Sequence, residues 1–456
     1  MKKHIINLLL VSAVSGFSSC SKYVEVEQPN QRVLKYTSDY QALLSNVSYF
    51  ERGYAMPLLS ESDVDAGGIT TIEARLTNEI ANVYTWAADY YTADQTDATW
   101  NQLYNLIYEC NEIIAHVMGS VNGTEEQKKV ALAEAQTQRA YNYLMLMNIY
   151  APVYKTATAT TDLGVPMQLS PDLFTNLTRP SVQQVYDQII ADVNAALPNL
   201  PRTAANNLHA AKAAAYATLA RTYLYMQQYD KAAENAGLAL SIQDSLLDLS
   251  VYTTTLTNFP RRLYNPEVIL SKKASRPGNF TMPLSAKLLN LFTTTDLRYT
   301  LFTRAGTSFA PSFTGRGSYK HQMFSGDDVN IGVSVPEMML IQAEGMARNN
   351  QVTEAMAMVN KLRRKRFKTA DYVALTATTS AQAVKQVLDE RRRELFGTGL
   401  RWFDQRRLGT ETAYAETETR VFKTVNYTLT PGSNRFVYPI APFYITLNPE
   451  IKQNGR

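Results

Sequence analysis

The sequence predicts a mainly α protein: tetratricopeptide-like helical repeats that carry a long irregular region. Three observations lead there. Residues 127–150, 181–196, 208–226, 230–241, 335–348, 352–366 and 380–396 all place apolar side chains at helical spacing. Two of these helix pairs share one pattern of small and large residues. Two long stretches, 41–99 and 251–334, show no helical pattern although they are not poor in apolar residues.

The N-terminus determines where the chain goes. Met1-Lys2-Lys3-His4 is cationic, Ile5 to Phe17 is a largely apolar run of 13 residues, and the small residues Ser18 and Ser19 precede Cys20. This order predicts a secretory signal over residues 1–19. The run falls short of the roughly 20 apolar residues that a membrane-spanning helix needs. Cysteine directly after the small residues predicts a lipoprotein whose mature chain, 20–456, begins at an acylated Cys20. Each buried CH₂ of an acyl chain adds about 0.8 kcal/mol, so several chains would hold a soluble domain on a membrane. Cys110 is then the one remaining thiol. It shares a helical pattern with Leu103, Ile107, Ile114 and Val117 and reads as a core residue.

Without Lys2 and Lys3 the chain keeps 43 basic against 41 acidic residues, which gives no electrostatic case for nucleic acid. A hydrophobic content of 45% can fill a large core. The 28 tyrosines suit either wet binding surfaces or a tyrosine-rich helical core.

Within the helices, Ser181 is placed to cap the 181–196 helix and Pro198 to stop it. Ala220, Tyr223, Ala232 and Ala239 recur at the same offsets as Ala343, Met346, Ala355 and Leu362. Small and large residues so spaced fit the tetratricopeptide helix-turn-helix, with turns at Gln227-Gln228-Tyr229-Asp230 and Asn349-Asn350-Gln351-Val352. A third unit is expected from the 127–150 and 181–196 helices, separated by an inserted loop. Long loops on a rigid scaffold are where binding residues are expected.

No catalytic signature stands out. His116, His209 and His321 are far apart and lack metal-ligand spacing, so no metal or cofactor is expected. There is no G-x-S-x-G elbow and no phosphate-binding glycine loop. A glycosidase needs only two suitably spaced carboxylates, so a secreted glycoside hydrolase is the runner-up reading. A scaffold lipoprotein that binds another protein in its repeat grooves is the third. The cluster Glu390, Arg391, Glu394, Arg401 and Asp404 reads as a structural ion-pair network, because buried charges require partners.

Several segments resemble the SusD/RagB family of outer-membrane nutrient-binding lipoproteins. They are Trp100-Asn101-Gln102-Leu103-Tyr104; Glu134-Ala135 with Arg139-Ala140-Tyr141; Gly164-Val165-Pro166; Ala343-Glu344 with Asn360-Lys361-Leu362-Arg363; Glu390-Arg391-Arg392-Arg393-Glu394-Leu395 running into Gly399-Leu400-Arg401-Trp402-Phe403-Asp404; Tyr438-Pro439-Ile440; and Asn448-Pro449-Glu450. Thr398 stands where the family usually has Glu. The resemblance implies tetratricopeptide-like helices over about 100–241 and 335–404 and a loop-rich ligand half over about 41–99 and 251–334. It also implies a non-enzymatic protein on the cell exterior that captures oligosaccharides, or peptides, for a SusC-type TonB-dependent transporter. Trp100 and Trp402 are expected in the core. The ligand platform is expected to draw on Tyr84 and Trp86, near Tyr90 and Tyr91, and on Tyr299 and Tyr319, near Phe302, Phe313 and Phe324.

Overall fold

The computed structural model describes residues 34–173, 175–253, 259–274, 281–310, 312–320 and 327–456. The expected signal at 1–19, the lipidation site Cys20, His321 and Phe324 lie outside the described residues. The longer helices are α1 (Ala98–His116), α2 (Glu125–Tyr150), α3 (Val182–Ala196), α4 (Lys212–Tyr225), α5 (Tyr229–Leu240), α6 (Val335–Arg348), α7 (Val352–Arg363), α8 (Ser380–Leu395) and α9 (Leu400–Leu408). Four begin at residues whose side chains accept backbone N–H groups that the helix cannot satisfy: Asp97, Thr124, Ser181 and Thr379. At Thr124 and Ser181 the glutamine three residues on bonds back, closing a capping box.

The helices stack in chain order, α1 on α2, α2 on α3, α3 on α4 and onward to α7, with α8 packed on both α6 and α7. From Thr137 to Tyr150, α2 is buried on every face, as a helix at the centre of a stack must be. The expected repeat is present in the backbone. Gln227 and Asn350 occupy the same repeat position, and both adopt positive φ, 59° and 61°. Ala220, Ala232, Ala239, Ala343, Ala355 and Leu362 are buried. Gly345 shows why small residues are needed: a Cβ there would lie 2.6 Å from Ala233 Cβ and 2.7 Å from the Tyr229 carbonyl oxygen.

The reading of 41–99 as non-helical is corrected. Short helices occupy Thr37–Leu44, Val47–Phe50, Pro57–Ser60, Thr70–Glu73 and Asn78–Tyr84. Such short helices show no periodicity and are not stable alone; tertiary packing holds them. Two antiparallel hairpins also went unforeseen, β1 (Thr303–Ala305) with β2 (Arg316–Ser318), and β3 (Glu418–Phe422) with β4 (Val425–Leu429).

The charged motif is a buried network. Glu390 is paired with Arg298 at 2.7 Å, Arg363 at 2.8 Å and Arg393 at 2.7 Å, and Glu394 with Arg298 and Arg366, each at 2.8 Å. Asp404 takes Arg391 at 2.7 Å and Arg407 at 2.9 Å, while Arg407 also grips Glu344. Burial opposes charge on these acids, but the arginines outweigh it. Glu394 is held at about 2 by Arg366 and Arg298, and Glu390, Glu344 and Asp404 are also lowered. Arg401 is a correction, since it stands outside this network. It reaches Ser62 Oγ at 3.3 Å and lies 3.6 Å and 3.9 Å from the carboxylates of Glu416 and Glu418.

Trp100 and Trp402 are in the core, as expected. So is Cys110, whose thiol burial pushes up to about 12. Among the described residues no helix is long and apolar enough to cross a membrane, and no cluster of His, Cys, Asp and Glu could hold a metal ion.

Two outcomes are expected. In chemical denaturation Asp404→Ala should cost about 3–5 kcal/mol, because Arg391 and Arg407 lose a buried partner. Arg401→Ala, whose ion pairs are long and partly exposed, should cost about 1 kcal/mol or less. A similar loss for both variants would contradict the separation of Arg401 from the network. The second outcome concerns pH. The carboxyls of the network titrate lower in the folded chain than in the unfolded one. Their contribution is therefore complete above about pH 4.5 and is lost as pH falls toward about 2. Melting curves across this window should fall less steeply for Glu394→Gln than for the parent chain.

Candidate ligand-binding surface

The two irregular regions meet in space. The Asp65 N–H donates to the Pro283 carbonyl at 3.0 Å, the Ser285 N–H to the Asp63 carbonyl at 2.9 Å, and the hydroxyls of Thr71 and Ser312 lie 2.8 Å apart. Val64, Ile69, Ile72, Leu76 and Tyr84 share one apolar cluster with Phe313 and Phe422. Segments more than 200 residues apart in sequence thus form a single wall beside the helical stack.

The β1–β2 hairpin stands on this wall. Arg304 pairs with Gly317 across the hairpin and Arg316 with Ala305. Adjacent ladder positions point to opposite faces of a strand, so the two arginines leave the hairpin on opposite sides. The Arg316 guanidinium lies 4.1 Å from the Tyr299 ring centre and donates from Nε to Thr303 Oγ1 at 2.7 Å. The Arg304 guanidinium lies 4.5 Å from the Tyr319 ring. Phe292 edges Tyr299 and Phe309 edges Tyr319. Both tyrosines and both arginines are half-buried, so each pair keeps an open side. Lys320 anchors the hairpin to the end of α8. Its buried ammonium donates to the carbonyls of Glu394 at 2.9 Å and Phe396 at 2.8 Å, and burial lowers its pKa to about 8.

The four residues expected in the platform divide. Tyr84 and Trp86 are corrected: both are packed beneath the surface. The Arg420 guanidinium lies 4.4 Å from the Tyr84 ring and 4.3 Å from the Trp86 ring. The Trp86 indole N–H donates to the Ser60 carbonyl at 2.9 Å, and its backbone is held at φ 53°. Both rings are occupied in holding Arg420, which in turn ties the carbonyls of Leu59, Ser60 and Tyr84 to β3. Tyr90, Tyr91, Phe302 and Phe313 are likewise buried. Tyr299 and Tyr319 remain accessible on their two sides of the hairpin. Sequence reasoning missed Arg304, Arg316 and Arg420. Arg304 and Arg316 stand beside Gly/Ser-containing turns, which also describes ordinary solvated loops, and Arg420 stands among Thr and Glu residues that give no binding signal.

Two further cavities, of about 330 and 260 Å³, lie on the helical half and share Thr203, Ala204 and His209. Their walls are mainly alanine, threonine and amide side chains, without Tyr, Phe or Trp. His209 pairs there with Glu134 at 2.9 Å. The flat aromatic faces with adjacent hydrogen-bond donors are on the hairpin wall.

Known proteins share this architecture. Residues 22–224 match a SusD-like family described as "Starch-binding associating with outer membrane", and residues 335–455 match the SusD/RagB family. SusD-like protein P2 of Formosa agariphila is 27% identical over 250 residues, a match that covers 53% of this chain and 46% of that protein. The chain thus matches about half the length of that relative. A SusD superfamily protein from Bacteroides thetaiotaomicron superposes with a TM-score of 0.72 at 20% identity, covering 92% of this chain and 100% of that one. Surface glycan-binding protein A from Bacteroides uniformis superposes with a TM-score of 0.67 at 18% identity, covering 91% and 99%. At these identities the superpositions establish the fold. The two family matches, which take in both the early helices and the Glu390–Asp404 network, place this chain in the SusD/RagB family.

Proposed function

We propose that the chain is a lipoprotein of the outer membrane, acylated at Cys20 and facing the cell exterior, that binds oligosaccharides without transforming them. It passes them to a SusC-type TonB-dependent transporter. Peptides are the alternative cargo. The observation that carries this reading is the hairpin wall, where Tyr299 and Tyr319 each keep an open ring edge beside a guanidinium. Sugar rings present C–H faces that pack on aromatic rings and hydroxyls that accept from N–H donors. The wall rests on a rigid helical stack, so little freedom is lost when ligand binds. The description of the matching family as starch-binding and associated with the outer membrane supports the same reading, as does the glycan-binding name of one structural neighbour.

Two tests follow. Cells fed an alkyne fatty acid should label the full chain, while Cys20→Ala should lose both label and membrane association. A labelled, membrane-bound Cys20→Ala chain would refute the lipid anchor. For binding, the detergent-solubilised full chain is screened on an array of oligosaccharides and peptides. Tyr319→Ala should weaken the best ligand about tenfold, or ~1.4 kcal/mol, without loss of fold. Trp86→Ala should instead lower stability by about 3–5 kcal/mol, since a buried indole is removed. Steady cleavage of the bound ligand, abolished by a single Asp or Glu substitution, would favour the hydrolase.

A further inference from the structure

We propose that the hairpin wall is specific for acidic oligosaccharides, with Arg304 and Arg316 each receiving an oxyanion substituent, carboxylate or sulfate. This rests on the glycan-binding reading above and names the ligand class of that site.

The buried arginines of this protein are bound in one of two ways. Arg139 is paired with Asp192, Arg221 with Glu337, Arg262 with Glu51, Arg298 with Asp296 and Arg407 with Glu344. The buried arginines without a carboxylate, such as Arg179 and Arg420, turn their N–H groups onto backbone carbonyls and so serve as internal ties. Arg304 and Arg316 also donate to carbonyls, but they are half-buried rather than buried and each keeps donors without a bond among the described residues. Among the described residues neither has a carboxylate partner; they contact carbonyls, one hydroxyl and a tyrosine ring.

These contacts fix each guanidinium and leave part of it unused. Arg304 donates from Nη1 to the carbonyls of Thr300 and Thr303, so its Nε–H and Nη2 edge carries no bond within the described residues. That edge presents two parallel N–H groups, the arrangement that binds a carboxylate or sulfate through two oxygens. Arg316 uses Nε on Thr303 Oγ1 and Nη2 on the carbonyls of Tyr299 and Thr303, and its Nη1 carries no bond among the described residues. A solvated surface arginine would ordinarily keep its rotamer freedom. These two are instead held over the Tyr319 and Tyr299 rings, at 4.5 Å and 4.1 Å, by hydrogen bonds to residues 299–303. A preorganised cation that lacks an internal counter-charge favours an anionic ligand, and a neutral sugar would leave that charge unanswered.

The test uses the detergent-solubilised full chain on an array that holds neutral oligosaccharides, uronate oligosaccharides with their methyl esters, and sulfated oligosaccharides with their desulfated counterparts. Binding should be confined to acidic members, fall at least tenfold on esterification or desulfation, and weaken as salt is raised. Whether the uronate or the sulfated arm binds identifies the oxyanion. Arg304→Gln and Arg316→Gln should each lose at least tenfold in affinity with unchanged melting temperature. Arg304→Lys, which keeps the charge without the two-donor edge, should recover part of the loss. Lys385→Gln, an exposed charge on α8, should bind as the parent does. Preferred binding of neutral oligosaccharides, or acidic binding indifferent to both arginine substitutions, would overturn this proposal and leave the glycan-binding function standing. Binding of no oligosaccharide, neutral or acidic, would overturn both.

Discussion

Glu390 joins the helical stack to the irregular half through buried ion pairs. A fully buried carboxylate cannot remain charged without compensation, and Glu390 receives it from three separate parts of the chain. Arg393 is on its own helix, Arg363 is on α7, and Arg298 comes from the irregular half. Glu394, one turn on, adds Arg366 from just beyond α7 and shares Arg298. Removing any one arm leaves a charge with no water to answer it. The network therefore fixes the angle between the helical stack and the loop-rich half more strictly than apolar contact could, because ion pairs are directional and apolar packing is not.

The same logic extends to the binding surface. Lys320 carries the hairpin's end into the carbonyls after α8, so the hairpin inherits the rigidity of the network. Arg420 performs the corresponding task for the earlier region: its guanidinium lies against Tyr84 and Trp86 and donates to the carbonyls of residues 59–61. Tyr84 and Trp86 thus pack beneath the wall. The surface we propose for ligand is one layer further out, on Tyr299, Tyr319 and the two arginines beside them.

What could be read in advance follows a physical division. The long helices were legible because burial on one face of a helix imposes a period near 3.6, and one start was legible at Ser181 because a capping side chain must sit at a set distance from its amide. Strand β3 was not legible, because its inward positions are Glu418, Arg420 and Phe422 while Val421 faces outward. Charge paired in the interior reverses the alternation on which strand recognition depends. Arg401 was grouped with Asp404 because they are close in sequence, yet Asp404 joins the network while Arg401 faces Ser62.

By itself the sequence determined the helical stack, the in-register repeat, the buried Cys110 and the structural role of the Glu390–Asp404 motif. Each of these depends on local spacing or on the general cost of burying charge. Only the tertiary structure decided which aromatics are open. Trp86 and Tyr319 look alike as rings in loop-like segments. Their fates diverge because Arg420, distant in sequence, and the Ser60 carbonyl claim the indole, whereas Tyr319 stays half-buried beside Arg304. Exposure is set by the sum of contacts from remote segments, and no local pattern carries that sum.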